Sequence, residues 1–359
     1  MFRIARVSTR PFQLALRGAL HWGKAGELTG LEHVLVSVFD DAGNVGTAEA
    51  PVRPTIYGET VAGIEAVIRA QLAPALMGLE VVDRDAQEEV LARIPNNHCA
   101  KGALDTALCE LRAAAAGYTL FNAEKGSSER LEVSFILGIA ALETMLSEAA
   151  HVYAQGVRVF KVKVGRSAEH DAQVLGALGH AFAGAGVTLY ADANESLSTE
   201  TSARDLERLG KLGVVYVEEP LPVQLLRDRV ALKKAEVLPI IADDSCFTLS
   251  ELERELDFDT FDILNIKTAR TGFSVSQKML GLARDAGKGV MVGSQASAGL
   301  GTLHAAVFSS KAGVTHPCEL SFPLKLETDV LNGPLTFEEG FLAVAGLKSL
   351  RLSATFAPD

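Results

Sequence analysis

Apolar and polar positions change rhythm once along this chain, near residue 125. Before that point, strand-like stretches at residues 2–7, 15–20 and 33–40 precede three helical ones. The run LVSVFDDAGNVGTAEA turns at Asp41-Ala42-Gly43-Asn44 and predicts a hairpin. The helical stretches cover residues 60–76, residues 83–94 ahead of Pro95, and the alanine-rich residues 100–116 ahead of Gly117. This part reads as an α+β unit. From Leu131 onward, apolar strand candidates alternate with helical stretches, several of which end in glycine. The eight strand candidates lie at residues 133–138, 157–165, 187–194, 214–220, 238–245, 261–267, 289–295 and 314–320.

Strict β/α alternation argues for parallel strands with helical crossovers. No glycine-rich phosphate loop follows the first strand, so a closed barrel is favoured over an open doubly wound sheet. The expected division is a capping unit at residues 1–125, a barrel at 126–330, and a tail at 331–359 that returns to the cap.

In such a barrel the chemistry sits at the C-terminal ends of the strands. Strand two carries Lys161 and Lys163 there. Strands three, four and five end in Asp192 with Asn194, Glu218-Glu219 and Asp243-Asp244. Lys267 ends strand six, Ser294-Gln295 ends strand seven, and Glu319 ends strand eight. Successive side chains face opposite sides, so each acidic doublet turns one member inward and the two lysines share a face. Three carboxylates gathered inside need a counter-ion. Oxygen ligands without His or Cys suit Mg²⁺ or Mn²⁺ rather than zinc. Lysines on strands two and six would flank the α-carbon of a metal-bound carboxylate substrate. Each works as a base only if its pKa falls towards neutrality, as burial, a neighbouring cation and the metal would arrange.

Composition narrows the partners. The 359 residues carry 34 basic and 45 acidic side chains, a net charge of −11, which gives no footprint for nucleic acid or an anionic membrane. With 48% apolar residues the chain has ample core, and disorder is excluded as its main state. Four scattered cysteines suggest free thiols in a reducing compartment. The charged N-terminus makes a poor signal peptide, and no apolar run is long enough to span a membrane. A cytoplasmic location is expected.

The pieces KVKVG (161–165), DAN (192–194), VEEP (217–220), ADDS (242–245) and NIKTARTG (265–272) resemble the enolase superfamily, in its mandelate racemase/muconate lactonizing enzyme branch. KGALDTALCEL (101–111) looks like the last helix of that family's capping domain. The resemblance implies a (β/α)7β barrel under an α+β cap. It implies Asp192, Glu218 and Asp243 as metal ligands, Lys163 and Lys267 as the acid/base pair, and Lys161 beside the metal-bound carboxylate. Asn194 would support the metal shell, Asp244 would pair with Lys267, and Glu219 would be structural.

Specificity is expected from Trp22 and Lys24 in the loop RGALHWGKAG, from Arg53 and Tyr57, and from Gln295, Ser297 and Glu319 at the last strand ends. The strand-eight end, CELSFPL, lacks the paired aspartates that hold an amino group in many dipeptide epimerases of the family. The expected reaction is racemisation or epimerisation of an N-acyl amino acid or dipeptide-like acid through an enediolate. A muconate-type cycloisomerase and a hydroxy-acid dehydratase are the alternatives. Members of this family are commonly dimers or octamers, so a homo-oligomer is expected.

Overall fold

The computed structural model describes residues 2–23 and 26–358. The expected strands at 2–7 and 15–20 are one strand, β1 (Ile4–Trp22), antiparallel to β2 (Gly26–Asp40), which pairs in turn with β3 (Val45–Pro51). Polar Ser8, Thr9 and Arg10 followed by Pro11 suggest a break. However, β1 is the edge of this sheet, and an edge strand tolerates a residue without an N–H. Val34, Val36 and Val38 of β2 bury their side chains against Ile64, Leu72 and Leu104 of the cap helices. The helix His98–Ala115 closes this layer, two residues longer at its start than the alanine run predicts.

After β4 (Arg130–Glu132), seven parallel strands follow in spatial order. They are β5 (Ser134–Leu137), β6 (Val159–Lys163), β7 (Thr188–Asp192), β8 (Val214–Glu218), β9 (Ile240–Ala242), β10 (Ile263–Ile266) and β11 (Gly289–Val292). The expected eighth strand has no regular ladder, because Pro317 removes a donor from its middle. The segment still closes the barrel. Thr315 and His316 donate to the Val290 carbonyl (2.8 and 3.1 Å) and Glu319 N–H donates to Val292 (2.9 Å). On the other side Cys318 donates to Glu132 (2.8 Å) and accepts from Ser134 (2.9 Å).

Side chains alternate as the strand period requires. Val159, Tyr190, Tyr216, Ile241, Ile263 and Met291 fill the barrel interior, while Phe160, Val162, Leu189 and Val217 pack outward under the helices. The tail forms β12 (Phe337–Glu338) and β13 (Phe341–Ala343), the latter pairing with β4. It then returns to the cap, where the Phe356 ring meets Phe12 edge-on with centroids 5.6 Å apart. Among the described residues no helix is long and apolar enough to cross a membrane, and all four cysteines are buried and free.

Candidate active site

Strand period places the chemistry. Above the inward Val159 of β6 come Lys161 and Lys163. Above Tyr190 comes Asp192, above Tyr216 comes Glu218, and above Ile241 comes Asp243. Register sets their heights: Lys163 lies opposite Asp192, and Asp192 opposite Glu218. β6, which carries Lys161 and Lys163, and β10, which runs into Lys267, therefore bracket β7, β8 and β9, whose ends carry the three acids.

The groups meet as ion pairs. Lys161 Nζ contacts Asp192 (2.9 Å), Glu218 (2.7 Å) and Glu319 (2.5 Å). Lys163 Nζ contacts Asp192 at 2.6 Å and Asn194 Oδ1 at 2.8 Å. Lys267 Nζ donates to Asp243. Asp244 pairs with Arg270 at 3.9 Å, and the ion pair of Lys267 is with Asp243 rather than with the expected Asp244. Glu219 shapes the acidic turn through one oxygen, while its Oε2 has only the Arg229 guanidinium at 3.8 Å. Its Oε1 accepts from the Asp243 and Ser245 N–H groups at 2.7 and 3.1 Å.

Burial alone would raise the Asp192 carboxyl, but Lys161 and Lys163 outweigh it and hold that acid below its ordinary range. Asp243 behaves likewise, with Lys267 and Arg270 outweighing burial. Glu218 goes up, through burial and its acidic neighbours Asp192 and Asp243. Burial and Asp243 together lift Asp244 to about 6. Burial pulls Lys161 and Lys267 down, but the carboxylates around them win and raise both. In this arrangement each lysine is the counter-ion of the acids.

Among the described residues, no group of three His, Cys, Asp or Glu side chains stands close enough together to hold a metal ion as placed. The donor set nevertheless fits a hard divalent cation. Its ligand atoms are all carboxylate oxygens, and Glu218 Oε2 is buried with no hydrogen-bond partner. That atom has lone pairs open to a cation, whereas Asp243 Oδ1 faces the Arg270 guanidinium at 3.2 Å.

Above the acids lies a cavity of about 450 Å³ whose lining includes Lys163, Lys267, Asp243 and Asn194. The far end of the β1–β2 hairpin forms one wall with Trp22 and Leu28. It lies hard against the barrel mouth: Ile139 N–H donates to His21 O at 2.8 Å, and a Cβ on Gly138 would strike Leu20. Lys24 lies outside the described residues. Gln295 lines the cavity and donates to the Tyr57 hydroxyl, while buried Ser297 stands outside the lining. Arg53 reaches the lining, but its guanidinium is held by the carbonyls of Val52, Gln295 and Ala296. Glu319 faces the barrel interior: one oxygen takes Lys161 and the Tyr190 hydroxyl (3.4 Å), the other the Ser294 N–H (2.6 Å).

Three contributors escape the sequence reading. Asn265 donates to Glu218 at 3.4 Å, in space that a Cβ on Gly293 would fill. Its position two residues before Lys267 on the same face was an available signal. Arg270 reaches Asp243 Oδ1 at 3.2 Å and stacks 4.3 Å over the Phe247 ring. Arg166 donates to Gly23 O (2.6 Å) and Gly26 O (3.1 Å), tying the Trp22 wall to the end of β6.

A closed parallel barrel with two lysines bracketing three acids, under an antiparallel cap, defines an enolase-type enzyme. The chain belongs to the mandelate racemase/muconate lactonizing enzyme family of the enolase superfamily: the model "Mandelate racemase / muconate lactonizing enzyme, N-terminal domain" matches residues 5–122, and "Enolase C-terminal domain-like" matches residues 144–347. The chain is 31% identical to an L-Ala-D/L-Glu epimerase of Bacillus subtilis (strain 168), over 97% of this chain and 94% of that one. Among solved structures it resembles a muconate lactonizing enzyme of Mycobacterium smegmatis complexed with muconolactone. The TM-score is 0.91 at 32% identity, covering 98% of each chain. It also resembles a dipeptide epimerase of Cytophaga hutchinsonii complexed with Mg and D-Ala-L-Val. There the TM-score is 0.89 at 27% identity, covering 99% of this chain and 97% of that one.

Proposed function

We propose that this protein is a Mg²⁺-dependent racemase or epimerase of an N-acyl amino acid or dipeptide-like carboxylic acid. One observation carries the reading: Lys163 and Lys267, from strands on either side of the three acids, line the same cavity. Asp192, Glu218 and Asp243 would hold the cation, Mg²⁺ or Mn²⁺. When bound, it would supply the positive charge that a substrate carboxylate needs as its α-carbon loses a proton to give an enediolate. One lysine, as the free amine, takes that proton onto Nζ. The other, as the ammonium, returns a proton from the opposite side. Exchange of roles runs the reaction in reverse. Lys161 stays charged deep among its carboxylates and fixes their positions. Buried free cysteines support a reducing, cytoplasmic setting, and family likeness supports a homo-oligomer.

The likeness to a lactonizing enzyme at 32% identity is within a percentage point of that to the epimerase at 31%, which favours a muconate-type cycloisomerase as the second reading. Incubation with Mg²⁺ in D₂O, with a panel of N-acyl amino acids and dipeptides and in parallel with cis,cis-muconate, tests both. The first reading requires α-deuterium to appear together with the opposite configuration. Cyclisation of cis,cis-muconate without such exchange would establish the second, and neither result would sink both.

A further inference from the structure

A second cavity, of about 340 Å³, shares no lining residue with the one above the lysines. It lies where β3, the helix His98–Ala115, the barrel helix Gly299–Ser309 and the tail converge. Its size falls within the range of pockets that take small organic ligands. The walls are mostly apolar, with Leu120, Phe121, Leu303, Val307 and Leu347 among them.

Three polar side chains interrupt those walls. His304 is only 5% exposed, lines the cavity, and has no hydrogen bond among the described residues. Its ring nitrogens are not among the fully enclosed unpaired atoms, so they face the cavity, where a ligand hydroxyl or carbonyl would take the place of water. Glu110 spends one oxygen on the Thr47 N–H at 2.6 Å, and both residues line the cavity. Burial pushes His304 down to about 4 and Glu110 up to about 7, so the interior favours neutral hydrogen-bonding groups over a full charge. The rim is different. Lys348 and Arg351 are exposed there, and neither side chain has an ion-pair partner among the described residues.

We infer that this cavity is a second binding site, for an amphipathic monocarboxylate whose anionic head meets Lys348 and Arg351, whose apolar body lies along the leucines, and whose far end offers a hydroxyl or carbonyl to His304. The combination is specific. A wholly apolar ligand leaves His304 unpaired, and a ligand charged at both ends must bury a charge. The assignment is independent of which acid the catalytic cavity takes.

Titration calorimetry of the whole chain with 8-hydroxyoctanoate, octanoate and 1-octanol tests it. The expected result is one saturable site per chain, with affinity falling in that order. Reversing the rim with Lys348→Glu and Arg351→Glu, both on the surface, weakens the two carboxylates at least about tenfold and leaves 1-octanol unchanged. Leu303→Trp fills the cavity and removes binding of all three, whereas Lys163→Ala in the catalytic cavity alters none. The assignment is overturned by no saturable binding at millimolar concentration, by binding indifferent to rim reversal, or by binding lost in Lys163→Ala but kept in Leu303→Trp.

Discussion

Glu319 Oε1 lies 2.5 Å from Lys161 Nζ across 158 residues of sequence. The pair joins the closing segment of the barrel to β6, at the level of the candidate metal ligands. Glu319→Leu removes one of three carboxylates around a buried ammonium and leaves the Ser294 N–H without its acceptor. Unfolding in urea is expected to show a loss of about 2–4 kcal/mol, with Glu319→Gln losing less than half as much. Equal losses would mean that packing, not charge, is what Glu319 contributes.

Lys163→Ala and Lys267→Ala are each expected to slow racemisation about 10³-fold, since each removes one acid/base partner. They should differ in deuterium exchange followed by proton NMR. One variant keeps exchange from one enantiomer only, and the other keeps it from the opposite enantiomer only. Identical exchange behaviour in the two variants would contradict lysines working from opposite sides.

Metal binding is readable without turnover. A cation that binds only the folded chain stabilises it, by about 2.7 kcal/mol at a hundred times its Kd. Adding Mg²⁺ is expected to raise the melting temperature of the parent protein, and EDTA to reverse the rise. Asp192→Asn, Glu218→Gln and Asp243→Asn should each abolish the response. A rise that persists in all three would place the cation elsewhere.

Glu110 gives the fold a pH dependence away from the lysines. Burial raises its carboxyl from 4.5 to about 7, so the folded chain holds this proton more tightly than the unfolded chain does. Its stabilising contribution is complete below 4.5 and disappears as pH rises through 7. Between pH 5 and 8 the parent should lose stability, on the order of 2 kcal/mol, relative to Glu110→Gln. Denaturation curves at several pH values measure the difference, and parallel trends in the two proteins would refute it.

Much of this was legible in the sequence because a barrel interior obeys a period of two. The spacing Lys161-x-Lys163 and the single inward member of each acidic doublet follow from that period, and Asn265 could have been found the same way. Arg270 could not. It sits on the helix after β10, and only tertiary packing brings its guanidinium to Asp243. Arg53 looked free to meet substrate, yet local sequence cannot reveal that the carbonyls of Gln295 and Ala296, more than 240 residues away, take up its donors. The lysine charges also turned on partners. Proximity of one cation to another was visible in the sequence, but the number of carboxylates packed against each lysine was not.

The late position of the closing segment bears on how the molecule is made. A growing chain that has emerged only as far as β11 presents a curved sheet with two open edges, β5 and β11, and an inner wall of lysines and acids exposed to water. Unpaired edges of this kind invite association with other chains. Residues 315–319 satisfy both edges at once and bring Glu319 to Lys161 in the same event. Residue 319 must therefore be made before the barrel can shut, and the nascent protein is most exposed to aggregation just before the centre assembles.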